Sequence, residues 1–185
     1  MSNVSVIITT CARPRMLARC VESVRAAASS AVEIVVVDDA SSGETAEVCR
    51  RVGGVRYVRL ERRLSAAAAR NVGLLASTGE YVLFLEDEDR RLPGSIDRQV
   101  AKLEENPAAG FCCGPLLGAD VDVLPACEAA FWPLLRLDFF VQPVGVVARR
   151  GAILAAGLLK TDIGRIDVWD LCVRLAELFP VVKVD

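Results

Sequence analysis

Four consecutive acids, Glu86, Asp87, Glu88 and Asp89, follow the apolar stretch 81–85. Neighbouring carboxylates repel one another, and a hard divalent cation such as Mg2+ or Mn2+ relieves that repulsion by taking their oxygens as ligands. An ion held there can bridge to a diphosphate and neutralise the charge that builds as the diphosphate departs. The competing reading is a solvated acidic loop, partly balanced by Arg90 and Arg91. A second acidic pair, Asp38 and Asp39, ends the apolar stretch 33–37. A carboxylate in that place accepts hydrogen bonds from the base or ribose of a nucleotide, or else caps the following helix. Arg13 and Arg70 invite two readings as well, a phosphate contact or an ion pair with a nearby acid. The chain has no histidine. That removes histidine acid–base catalysis, Ser-His and Cys-His nucleophile systems and most zinc sites. Catalysis in this chain must rest on carboxylates, metal ions or backbone dipoles.

These groups act together only if the fold brings them to one place. Residues 4–9, 33–37, 55–60 and 81–85 read as strands, the second β-branched throughout its core. A helix follows the first from Pro14, with Leu17, Cys20, Val21 and Val24 at helical spacing. Ser41-Ser42-Gly43-Glu44 has capping-box spacing and opens a helix to about Arg51. Residues 65–76 form a helix with Ala68, Val72 and Leu75 on one face, and Pro93 starts another that carries Ile96, Val100 and Leu103. Four strand–helix alternations with short connections specify a mainly parallel sheet with helices on both faces. Ligands of such sheets bind beyond the carboxyl ends of the strands. Thr9-Thr10-Cys11, Asp38-Asp39 and the acidic run therefore belong on one rim. Beyond Gly110 the pattern loosens: a strand at 111–114, a loop over 114–125, an extended segment at 139–148 and a short helix at 149–156. A helix at 168–178 with Trp169, Cys172, Val173 and Ala176 on one face precedes a closing strand at 181–184.

Composition narrows the partners. At 185 residues the chain suits one domain with a full core, and 53% hydrophobic with 25% charged residues is a globular balance. The 22 Lys and Arg are mixed with 24 acids at a net charge of −2, so no basic stripe calls for nucleic acid. No apolar run reaches the length of a membrane span, and the first residues lack signal-peptide features. The 7 cysteines form no metal-type pairs and read as reduced, small apolar residues of a cytoplasmic protein. A phospho-acceptor receiver would carry its acidic pair after the first strand and an Asp after the third. Here the pair follows the second strand, and the third ends in Leu60-Glu61-Arg62.

The run VSVIITTCARPRMLARCVESV, then EIVVVDDASSGET, then ARNVGLLASTGEYVLFLEDEDRRLPGSI resembles the family-2 glycosyltransferases of the GT-A fold. The likeness is close over residues 3–113 and weaker through VGVVARRGAILAAG and WDLCVRLAE. It implies a Rossmann-like α/β fold in a single domain over 1–185, with 1–113 as the nucleotide-sugar half and 114–185 as the acceptor-side half. The activity implied is transfer of a sugar, mostly with inversion, from a nucleotide-diphosphate sugar, by default a UDP-sugar. The acceptor is unidentified: a polysaccharide, a lipid carrier, a protein or a small molecule. By the same resemblance Thr9 and Asp39 contact the nucleoside base, Asp38 supports them, and Arg70 faces the nucleotide. Asp87, Glu88 and Asp89 stand at the metal motif for Mn2+ or Mg2+, with Asp87 also at the nucleotide.

The sequence departs from the family pattern in three places. Cys11-Ala12 stands where the family has Tyr-Asn, removing an aromatic platform. Glu86 and Glu88 replace Asp. Near the end, Asp167-Val168 occupies the place of the Glu-Asp pair before Trp169-Asp170-Leu171, so the family's base position is Val168. Asp167 and Asp170 are the candidate bases, with Asp162 a third choice. These departures leave a second expectation beside the enzyme, a catalytically weakened nucleotide-sugar-binding or scaffold protein on the same fold. Membrane association, if any, is expected to be peripheral, and oligomeric state is left open.

Overall fold

The first strand, β1 (Val4–Thr10), is buried along all 7 of its residues, as an apolar run covered on both faces must be. The computed structural model describes residues 4–41, 43–114, 131–135 and 142–184. After β1 come α1 (Pro14–Ala27), β2 (Glu33–Asp38), α2 (Glu44–Val52), β3 (Arg56–Arg59), α3 (Ala66–Ala76) and β4 (Tyr81–Glu86). Then follow α4 (Ser95–Glu105), β5 (Phe111–Cys113), α5 (Phe131–Leu135), β6 (Val146–Arg149), α6 (Arg150–Ala156), α7 (Asp167–Leu178) and β7 (Val181–Lys183). The strands form one 7-stranded sheet ordered β3-β2-β1-β4-β6-β5-β7. β1 to β4 run parallel, β7 is parallel to β5, and β6 runs antiparallel to both β4 and β5.

The chain leaves β1 toward β2 and β3, then crosses back to place β4 on the other side of β1. The switch in strand order therefore falls between β1 and β4, where open α/β sheets leave a crevice for ligands. Register puts Thr9 beside Glu86 and Thr10 beside Asp38, so three strands end at one rim. Side chains alternate across the sheet. Val6 and Ile8 pack with α1, α2 and α4 in one apolar layer, while Ile7 packs with α3, α6 and α7 in the other.

Local details depart from the sequence reading where tertiary contacts take over. In α3 the expected face of Ala68, Val72 and Leu75 is not the buried one: Leu75 is 69% exposed, and Ala67, Ala69, Arg70, Gly73 and Leu74 face the sheet. That face is built for close approach, since a Cβ on Gly73 would collide with Ile7 Cγ2 and Val37 Cγ2. In α7 the buried set is Asp167, Val168, Leu171, Cys172, Leu175 and Ala176, with Trp169 and Val173 at its margin. Ser41 does not cap α2, which starts after Gly43 without a side-chain cap. The Ser41 hydroxyl instead accepts Ala12 N at 2.7 Å, and Ser41 N donates to Asp38 Oδ1 at 2.9 Å. Residues 93–94 form a turn, and α4 starts at Ser95 after Gly94 in the left-handed region. A 3-10 turn, Pro143–Gly145, leads into β6. The expected loop beyond Gly114, and residues 139–141 of the expected extended segment, lie outside the described residues.

Candidate active site

β4 carries the acidic run out of the core, and its first free residue turns inward. Asp87 is fully buried. Its Oδ2 accepts the Thr10 hydroxyl at 2.6 Å, across the β1–β4 switch. Arg13, just after β1, places Nε 3.0 Å from Asp87 Oδ1 and donates through a terminal nitrogen to Glu88 at 2.5 Å. The Nε contact is an ion pair without hydrogen-bond alignment, and Asp87 Oδ1 has no hydrogen-bond donor. Burial raises the Asp87 carboxyl above its ordinary value, against the lowering effects of Thr10 and Arg13. Asp89 folds back: its Oδ2 accepts Glu86 N at 2.7 Å while its own N–H donates to Glu86 O at 3.0 Å. Burial raises Asp89 as well.

Arg70 lies beneath this run on α3, with only 2% of its surface exposed. It donates to Asp167 Oδ2 at 2.6 Å and to Glu86 Oε1 at 3.1 Å. The expected nucleotide-facing arginine is thus a buried bridge, and its charge is tolerated there because two carboxylates balance it. The bridge brings Asp167, in the first turn of α7, to the acidic run, and leaves Asp167 Oδ1 without a hydrogen-bond partner. Asp170 is not part of this group. Its oxygens take Lys160 Nζ at 2.9 Å and Arg174 Nε at 2.8 Å, and Arg174 goes on to cap the carbonyls of Ala156, Gly157 and Leu158 after α6. Val168, at the family's base position, is a core residue. Asp162 is exposed.

The β2 end is tied just as firmly. Asp38 is fully buried, with Oδ1 taken by Ser41 N and Oδ2 by the Tyr57 hydroxyl at 2.5 Å. Both of its oxygens serve the fold, so it supports the rim. Asp39 is only partly buried on that rim, its side chain 12% exposed: Oδ1 accepts Leu64 N at 2.7 Å, and Oδ2 lies 3.9 Å from Arg63 Nε. Thr9 is buried between strands, its hydroxyl 3.4 Å from Leu85 O. Sequence reasoning misses Tyr57 and places Thr10 on the rim without a role. Register opposite the acidic run is the signal for Thr10; nothing local marks Tyr57.

The oxygen donors suit a hard divalent ion in part. Among the described residues no three acidic or cysteine side chains are grouped to hold a metal, because Asp89 closes its own turn. Asp87 and Glu88, however, already share one cation, the Arg13 guanidinium. Two carboxylates with the remaining positions left to water and phosphate oxygens is a usual arrangement for Mg2+. Of the expected set of three, Asp87 and Glu88 lie together at Arg13, while Asp89 is turned back on Glu86.

A family model described as glycosyl transferase family 2 matches residues 5–124. An uncharacterized glycosyltransferase of Haemophilus influenzae is 31% identical over 111 residues, covering 60% of this chain and 38% of that protein. The succinoglycan biosynthesis protein ExoO of Rhizobium meliloti is 28% identical over 135 residues, covering 68% and 38%. The chain thus spans well under two thirds of the curated relatives it matches. Among solved structures, S. aureus TarS 1-349 in complex with UDP-GlcNAc superposes with a TM-score of 0.78 at 18% identity, covering 98% of this chain and 56% of that one. The mannosyltransferase PcManGT of Pyrobaculum calidifontis, in complex with GDP-Man and Mn2+, gives 0.77 at 18% identity, covering 99% and 55%. The shared architecture is the GT-A fold.

Proposed function

The chain belongs to glycosyl transferase family 2, and from that premise we propose that it transfers a sugar from a nucleoside-diphosphate sugar to an acceptor hydroxyl, with inversion and with Mg2+ or Mn2+. Asp39, less buried than Asp38, is the carboxylate for the nucleoside, supported by Asp38 and Tyr57 beneath it. Asp87 and Glu88 would hold the ion, whose chemistry is to neutralise charge on the departing diphosphate. Asp167 is the proposed base: Arg70 fixes one oxygen and the other has no donor. The observation that carries the reading is the Thr10–Asp87 hydrogen bond. It fixes the acidic run at the β1–β4 switch, on the rim that also presents Asp39.

Residues 1–113 serve as the donor half and 114–185 as the acceptor-side half. A uridine donor is the first choice, supported by the UDP and UDP-GlcNAc complexes of TarS; the GDP-Man complex of PcManGT keeps a guanosine donor in the test. The described cysteines are free, and burial pushes Cys20 and Cys172 up to about 12, in keeping with reduced thiols in a cytoplasmic protein. Among the described residues no helix is long and apolar enough to cross a membrane.

Incubation with UDP-, GDP- and dTDP-sugars with and without Mn2+ tests the proposal. Metal-dependent sugar release, lost in Asp87→Ala, is the expected result. Donor binding without release, unchanged in Asp87→Ala, overturns it in favour of a nucleotide-sugar-binding protein. That second reading draws on one observation, the Arg13 guanidinium lying on Asp87 and Glu88.

A further inference from the structure

Arg13 is placed against the preference of its own helix. It is the N-cap residue of α1, makes no side-chain cap, and is followed by Arg15 in a first turn without acids. The positive end of a helix dipole disfavours cations in that place. What holds the Arg13 side chain is the pair Asp87 and Glu88, reached from two different guanidinium nitrogens at 3.0 and 2.5 Å. Its backbone is fixed by Ala12, which takes the left-handed region at φ 56 and donates its N–H to Ser41 Oγ. The side chain beyond that anchor is 42% exposed, so it can leave its partners without disturbing the loop. Against it lies Asp87 Oδ1, a fully buried oxygen with no hydrogen-bond donor.

We propose that Arg13 is a built-in counter-cation that competes with the divalent ion for Asp87 and Glu88 and swings out when the ion binds. This rests on the reading that these two carboxylates hold the ion. One pair of carboxylates cannot serve a guanidinium and a divalent ion at once, because the same oxygens are needed and the two cations repel. Arg13 thereby stabilises the ion-free protein and raises the ion concentration needed to load it. A guanidinium suits this task, since its planar fork reaches two carboxylates together where an ammonium acts as a point charge.

Mn2+ binding to the intact chain, read from the electron paramagnetic resonance of the free ion, tests the proposal in Arg13→Gln, Arg13→Lys and Asp87→Asn. Arg13→Gln is expected to bind Mn2+ about two- to fivefold tighter, the scale of losing a partly exposed ion pair. Arg13→Lys should fall between it and the wild type, and Asp87→Asn should lose binding. Thermal melts give a second readout: Arg13→Gln should melt below the wild type in EDTA and at or above it in saturating Mn2+, because the ion stabilises only the state it binds. Unchanged or weaker Mn2+ binding in Arg13→Gln, with Asp87→Asn still losing it, overturns the competition and leaves the ion site standing. Absence of binding in both the wild type and Arg13→Gln, or binding indifferent to Asp87→Asn, overturns the ion site and the competition with it.

Discussion

Arg70 donates to Asp167 and Glu86 inside the protein, while Asp170 is bound outward to Lys160 and Arg174. Two aspartates one helical turn apart thus have different roles, and substitution separates them. Asp167→Asn keeps the shape and removes the proposed proton acceptor, so turnover should fall by about 10²–10⁴-fold, the range of general-base catalysis, with donor binding spared by calorimetric titration. Asp170→Asn should leave turnover near the wild-type level and lower the free energy of urea unfolding by about 0.5–1 kcal/mol, since it releases the arginine that caps α6. Arg70→Met leaves Asp167 buried and uncompensated, which costs about 3–5 kcal/mol on denaturation for a broken buried pair. The sequence offered Asp167 and Asp170 as equals. Only the partners of each oxygen distinguish them.

At the scale of the element, the turns leaving β1 and β2 are under local strain. Ala12 and Ala40 both lie in the left-handed region, at φ 56 and 60, where an alanine Cβ crowds the following carbonyl. Ala40→Gly removes that crowding and should raise stability by about 0.5 kcal/mol, after allowing for the added freedom of glycine in the unfolded chain. The opposite exchange in α3 should be damaging. Gly73→Ala drives a methyl into Ile7 and Val37, and the measured loss should be about 1–3 kcal/mol, typical of overpacking. Displacement of α3 would also shift Arg70, so a drop in turnover should accompany the loss of stability. Periodicity could not predict this face. A helix that approaches a sheet through Ala, Gly and a compensated Arg shows its apolar residues on the side that periodicity takes for the core.

At the scale of the whole molecule, the two ends of the sheet do different work. The carboxylates proposed for the ion and the nucleoside collect at the carboxyl ends of the strands, while Glu33 starts β2 at the opposite edge. There Glu33 Oε2 accepts the Ser5 hydroxyl at 2.5 Å and Thr78 N at 2.8 Å. Burial alone would raise its carboxyl, but these bonds more than offset that, and the group lies below its ordinary value of 4.5. A depressed acid contributes stability that is complete above its unfolded value and vanishes as pH falls through the folded one. Wild type and Glu33→Gln should therefore differ by about 1 kcal/mol in urea at neutral pH, the net size of an ordinary hydrogen bond, and converge as pH falls below 4.5. The sequence by itself determined the four alternating strand–helix units, the shared rim of Asp39 and the acidic run, and the absence of histidine chemistry. Those follow from short-range periodicity and from the rule that parallel strands end on one side. The tertiary structure decided which oxygens are free. It assigned Asp38 to Tyr57, Asp89 to its own turn and Asp170 to α6, and brought Asp87 and Glu88 to Arg13 and Asp167 to Arg70. The partners that made those assignments lie up to 97 residues apart, as Arg70 and Asp167 do, and only packing of the sheet and its helices brings them within hydrogen-bond reach.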